Sequence, residues 1–168
     1  MNREIINTIL LFIGLILLQV IILNNINFLG YINPMLYVLF VFFYPIKKLD
    51  FAFLFLSFLL GLGIDFFLNS GGVNAAATLF IAYIRMPVIK AVLRRSELDY
   101  SSLIFRKLKF SKSVSILSIL ILIHHFIVFQ LEYFKLDSFF TIILKTILSG
   151  LFTLVLVLLS IVFFTNKK

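Results

Sequence analysis

Long apolar runs joined by short polar connections are the feature that most limits what this chain can become. Six stand out, at about Ile5 to Leu23, Pro34 to Ile46, Phe51 to Phe67, Val73 to Leu93, Val114 to Phe134 and Phe139 to Phe164. A helix needs about 20 apolar residues to cross about 30 Å of hydrocarbon. Residues A, V, I, L, M, F, W, Y and C make up 62% of the 168 positions and charged residues 13%, where soluble domains run about 45–50% and about 25%. A small soluble domain leaves too much surface exposed to hide that excess. A soluble enzyme, a disordered chain and a secreted disulfide scaffold are excluded. Barrel strands alternate apolar and polar side chains, and these runs do not. The prediction is an all-α polytopic membrane protein, one domain over residues 1–168 with six transmembrane helices. The second run is short, so it either extends upstream through Tyr31 or is sheltered by its neighbours. The first reads as a retained span, because Asn24-Asn25 offers no small-residue cleavage site.

Charge orients the spans. Arg3 precedes the first, Lys47 and Lys48 separate the second and third, and Arg94, Arg95, Arg106, Lys107, Lys109 and Lys112 separate the fourth and fifth. Lys167 and Lys168 follow the sixth, while the alternate connections carry only Lys135. Cytoplasmic loops concentrate Lys and Arg, so both termini are expected in the cytoplasm. The net charge of +8 therefore suits loops and lipid headgroups, with no nucleic-acid partner. Three readings stay open for the Arg94–Lys112 loop: a topology signal, an interfacial helix on anionic lipid, or a docking site for a cytoplasmic partner. Tryptophan is absent, so Tyr31, Tyr44 and Tyr133 are expected to form the interfacial belt. Cysteine is absent too, which removes disulfides, thiolate nucleophiles and Cys-ligated metals.

Few residues inside the runs carry chemistry. Asp65 lies near the outer end of span three, and Lys145 near the same depth in span six. Either they form a buried pair, or Lys145 snorkels and Asp65 bonds to loop amides. Arg85 reads as an inner-interface anchor, with a binding role as the lesser reading, and Pro87 as a kink or helix end. His124 and His125 point about 100° apart on a helix and read as polar packing between helices. Small residues at Ser57 and Gly61, at Thr78 and Ala82, and at Thr146, Gly150 and Thr153 let backbones approach. With the Asn69-Ser70-Gly71-Gly72 turn they predict a close antiparallel hairpin of spans three and four. No nucleotide loop, metal motif or nucleophile elbow appears, so no cofactor is expected and an enzyme is disfavoured.

Three stretches resemble the bacterial rod shape-determining MreD family. They are Leu17-Leu18-Gln19, then Gly30-Tyr31-Ile32-Asn33-Pro34-Met35-Leu36-Tyr37-Val38-Leu39, and finally Gly61-Leu62-Gly63-Ile64-Asp65 with Gly71-Gly72-Val73-Asn74-Ala75-Ala76 and Ala82-Tyr83-Ile84-Arg85. The resemblance implies a non-catalytic inner-membrane member of the cell-elongation machinery. It implies association with the periplasmic partner MreC, the MreB filament, and the glycosyltransferase and transpeptidase that build lateral peptidoglycan. It also implies a fold similar to the six-helix substrate-binding subunits of energy-coupling-factor vitamin transporters, with an outward groove near the start of span four. On that pattern Asp65, Gly71, Gly72 and Tyr83 shape the outer end of the hairpin. Two other readings stand beside it. One is a vitamin-binding transporter subunit of the same fold, disfavoured by the scarcity of mid-span polar groups. The other is a proton-coupled carrier relaying through His124, Asp65 and Lys145.

Overall fold

The computed structural model describes residues 3–25, 32–45, 51–94, 108–133 and 139–165. Tyr31, Ile46, Lys47, Lys48, Lys135 and most of the Arg94–Lys112 loop lie outside the described residues. Within them the chain is helical, with no β-strand. Helix α1 spans Arg3–Leu17 and continues through a π turn, Leu18–Ile22, and a 3-10 turn, Leu23–Asn25. A 3-10 turn at Leu36–Val38 leads into the short α2, Leu39–Phe43; then come α3, Phe51–Leu68, α4, Val73–Leu93, α5, Phe110–Tyr133, and α6, Phe139–Thr165. Among the described residues five helices, with α1 counted through its π and 3-10 turns to Asn25, are long and apolar enough to cross a membrane. The chain thus has the character of a multi-pass membrane protein.

The second run departs from expectation. It is not one regular helix: Asn33 to Met35 are non-helical, and only Leu36 to Phe43 coil. The alternative of shelter is the one realised, since every residue from Pro34 to Phe42 is buried. Hydrocarbon contains no hydrogen-bond partners, so irregular backbone survives at membrane depth only inside protein. Phe40 is fully buried and meets Phe12 of α1 edge-on at 5.7 Å.

The contacts fix how the elements run. Ile9 of α1 and Leu56 of α3 line one cavity, and a Cβ on Gly63 would lie 3.0 Å from Ile16. Both pairs have the same offset, so α1 and α3 are parallel. Residues 32–45 run the other way, from Gln19, which bonds to Pro34, back to the Ile5–Ile13 end, where Tyr44 and Pro45 line the same cavity. The polypeptide thus returns through the bundle between two parallel helices. Helix α4 folds back on α3, Lys112 at the start of α5 reaches the Val92 carbonyl at the end of α4 (2.8 Å), and α6 runs antiparallel to α5, with Lys145 beside Tyr133 and Thr153 beside His125. Helix α4 continues through Pro87 to Leu93, so the proline does not end it.

The α3–α4 hairpin is as close as the small residues predict. A Cβ on Gly61 would sit 2.5 Å from Ala75 Cα and from the Asn74 carbonyl, so only glycine fits there. The connecting turn places Asn69, Gly71 and Gly72 at φ of 54°, 67° and 95°, a left-handed region that glycine enters without steric cost.

Candidate functional site

The first four N–H groups of a helix have no partner within it. At α4 Asp65 supplies the acceptor from the end of α3. Its Oδ1 accepts from the Asn74 amide and side chain (2.9 Å each) and from the Ser70 hydroxyl (2.5 Å), and its Oδ2 accepts from the Ala75 amide (2.8 Å). A carboxylate at a helix N-terminus is favoured by the macrodipole as well as by these donors. Asp65 therefore takes the second of its two sequence readings, bonding to turn and helix amides. Lys145 extends to the Tyr133 hydroxyl (2.5 Å), with its ammonium 5.0 Å from that ring's centre.

Asn74 carries the network inward. Its amide nitrogen donates to Asp65 and to Ser70 Oγ (3.0 Å), so its oxygen is left to accept from the Tyr37 hydroxyl (2.7 Å). Tyr37 has then spent its proton, and its oxygen accepts from His124 Nε2 at 3.1 Å. That assigns the proton of His124 to Nε2 and leaves Nδ1, which is buried, without a partner among the described residues. The chain from Ser70 to His124 is continuous, but it is not a proton wire. An amide accepts at oxygen and donates at nitrogen without passing a proton between them, so Asn74 separates His124 from Asp65.

A second cluster holds the irregular stretch. Gln19, 1% exposed, donates to the Pro34 carbonyl and to Asn24 Oδ1 (2.9 Å each) and accepts from the Leu36 amide (2.9 Å). Leu15, Gln19 and Leu23 are all buried at four-residue spacing, and the wider π turn keeps them on one side of the helix. From α6, Ser149 Oγ accepts the Asn33 amide (3.2 Å) and Thr153 Oγ1 the Met35 amide (3.1 Å). Thr153 donates in turn to His125 Nε2 (3.1 Å), whose Nδ1 donates to the Ile121 carbonyl (2.9 Å). His125 is thus the interhelical polar packing expected of it, and His124 joins α5 to residue 37 in the same way.

Arg85 corrects the expectation of an interfacial anchor. It is 2% exposed and turned into the bundle, where Nη1 donates to the carbonyls of Val41 (2.6 Å) and Tyr44 (3.0 Å). Those groups close α2, whose last carbonyls have no partner within so short a helix. The guanidinium also lies 4.0 Å from the centre of the Phe53 ring. Tyr83 is corrected too. It stands in the middle of α4, 59% exposed, not at the outer end of the hairpin with Gly71 and Gly72.

A cavity of about 540 Å³ lies between the start of α1, the Tyr44–Pro45 corner and Leu56. Its walls are mostly apolar, including Ile5, Ile9, Phe12 and Ile13, and it sits at the end of the bundle opposite Asp65. Among the described residues no three His, Cys, Asp or Glu side chains gather as metal ligands. No family model, curated protein or solved structure matches this chain.

Proposed function

We propose that this chain is a non-catalytic scaffold of the bacterial cell-elongation complex, of the MreD type. It would sit in the cytoplasmic membrane with six crossings and both termini inside. One observation carries this reading. The residues that give the chain its resemblance, Gln19, Asn33-Pro34, Gly61, Asp65, Asn74 and Arg85, are the ones that join its elements. Most of their polar atoms bind backbone or neighbouring side chains, as a helix-presenting scaffold requires, while the buried Asn33 Oδ1 and Arg85 Nε have no partner among the described residues.

The parallel course of α1 and α3 supports the sixth crossing, because two parallel helices require a return between them. Residues 32 to 36, non-helical, can rise at most about 13 Å, and residues 36 to 44, coiled, about 14 Å. Together they nearly match the ~30 Å of hydrocarbon. With alternate connections basic, that return supports the reading of both termini in the cytoplasm. The partners would then be an MreC-type periplasmic protein, the MreB filament, the peptidoglycan glycosyltransferase and transpeptidase, and surrounding lipid.

Co-purification from native membranes tests the reading. A coiled-coil periplasmic partner in the eluate, with loss of rod shape on depletion, is the expected result. A pair of ATPases in its place, with vitamin uptake lost on depletion, would make the chain a transporter subunit.

A further inference from the structure

We propose that the cavity at the start of α1 holds an acyl chain of an anionic phospholipid, drawn there by the unpaired charge of Arg85. This does not rest on the elongation reading. The cavity measures about 540 Å³ and lies between α1, the Tyr44–Pro45 corner and Leu56. Ile5, Ile9 and Ile13 line it and are each about half exposed, so it opens along α1 to the outside of the bundle. In a membrane the outside is hydrocarbon. Cavities with apolar walls stay dry, so what enters this one is a lipid tail.

The cavity begins at the polar edge of the bundle. Arg3-Glu4 directly precede Ile5, and Lys47-Lys48 follow soon after Pro45 in the sequence. From Ile5 to Ile13 the helix rises about 12 Å, close to the ~15 Å that one leaflet contributes to the hydrocarbon. A tail descending from the headgroups therefore lies beside α1 for most of its leaflet. A partner helix is too large: 12 Å of helix about 10 Å across fills about 940 Å³.

Arg85 selects the charge of the headgroup. A charge inside a membrane protein is costly unless it is paired. Arg85 is buried, and its Nη1 binds the carbonyls of Val41 and Tyr44. No carboxylate among the described residues pairs with it, and its buried Nε has no partner there. It stands directly behind the cavity wall. Tyr44, whose carbonyl it binds, lines the cavity, and the Tyr44 ring lies 4.8 Å from the Phe53 ring that the guanidinium covers. Arg85 is also level with the polar edge. Gly61 packs on Ala75, so in the antiparallel hairpin Phe51 falls opposite Arg85. Gly63 meets Ile16, so by the same offset in the parallel pair Phe51 is level with Glu4. Buried charges are screened far less than exposed ones, and a phosphate at this level is attracted through the wall.

The chain has no tryptophan, so a single introduced one reports alone. Phe12→Trp places it in the cavity wall, and Val155→Trp on the exposed side of α6. The full chain is reconstituted in phosphatidylcholine vesicles with a minor fraction of phosphatidylglycerol brominated on its acyl chains. Phe12→Trp should be quenched as though that lipid were about fivefold enriched beside it, which is what one basic residue contributes. Val155→Trp should follow the bulk fraction, and brominated phosphatidylcholine should quench both at its bulk fraction. In the Phe12→Trp background Arg85→Lys should keep the enrichment and Arg85→Gln lose it. Ile9→Phe, which fills the cavity and changes no charge, should lose it too. Bulk-level quenching of Phe12→Trp by the anionic lipid, or none by either lipid, would overturn the proposal. So would enrichment that survives Arg85→Gln or Ile9→Phe.

Discussion

The α3–α4 hairpin and the return stretch 32–45 lie side by side and are held in opposite ways. The hairpin is local: a four-residue turn, a glycine that admits the next backbone, and one carboxylate that binds amides nine and ten residues on. The return stretch is held from a distance. Its backbone groups are bound by Gln19 from α1, Arg85 from α4, and Ser149 and Thr153 from α6. Regular helices satisfy their own backbone; broken ones borrow side chains. The hairpin can therefore form as soon as its two helices meet, whereas the return stretch needs α6 in place, more than a hundred residues later. Four of the buried polar residues, Gln19, Arg85, Ser149 and Thr153, meet that second problem.

Changes in the hairpin should do the greater damage. Gly61→Val drives a side chain into the Ala75 backbone. It should cost about 3 kcal/mol or more, read as loss of folded protein from membranes or of its thermal transition in detergent. Asp65→Asn should cost nearly as much, about 3 kcal/mol, because its NH₂ must face donors now held by a carboxylate. Recovery of the wild-type transition with Asn would show that charge and donor count do not matter at this cap.

The return stretch should loosen without unfolding the bundle. Gln19→Leu abandons the Pro34 carbonyl and the Leu36 amide together, for about 2 kcal/mol. It should raise maleimide labelling of a Met35→Cys reporter, which is buried in the parent chain. If the whole transition falls as far as with Gly61→Val, the two regions are not separable. Arg85→Lys keeps the charge but loses the guanidinium's contact with the Phe53 ring, and should cost about 1–2 kcal/mol. Ser149→Ala should cost least, about 1 kcal/mol, since it removes a single bond to the Asn33 amide.

The contrast also explains what could be read from the residues alone. Local signals were legible: the Gly71-Gly72 turn, the small residues around Gly61, and Asp65 as a group bonding to nearby amides. Long-range ones were not. Arg85 looked like an anchor because its acceptors, at Val41 and Tyr44, belong to the end of a helix that no local pattern delimits. Asn74 and Tyr37 stood inside quoted motifs, yet nothing in their spacing joins residue 37 to residues 74 and 124. The shortness of the second run pointed to shelter as one of two readings; that Asn33 to Met35 would not coil had no local signal. Tyr83 was misplaced because a motif match carries no depth; counting residues along α4 puts it at the centre.

Whether residues 32–45 carry the chain across the membrane is decided by labelling single cysteines from each side of the bilayer. Asn25 and Pro45 are both exposed and flank the stretch. A membrane-impermeant maleimide should modify Asn25→Cys in intact spheroplasts, and Pro45→Cys only in inverted vesicles. Labelling of both from the same side would make the stretch a re-entrant loop and contradict six crossings with both termini in the cytoplasm.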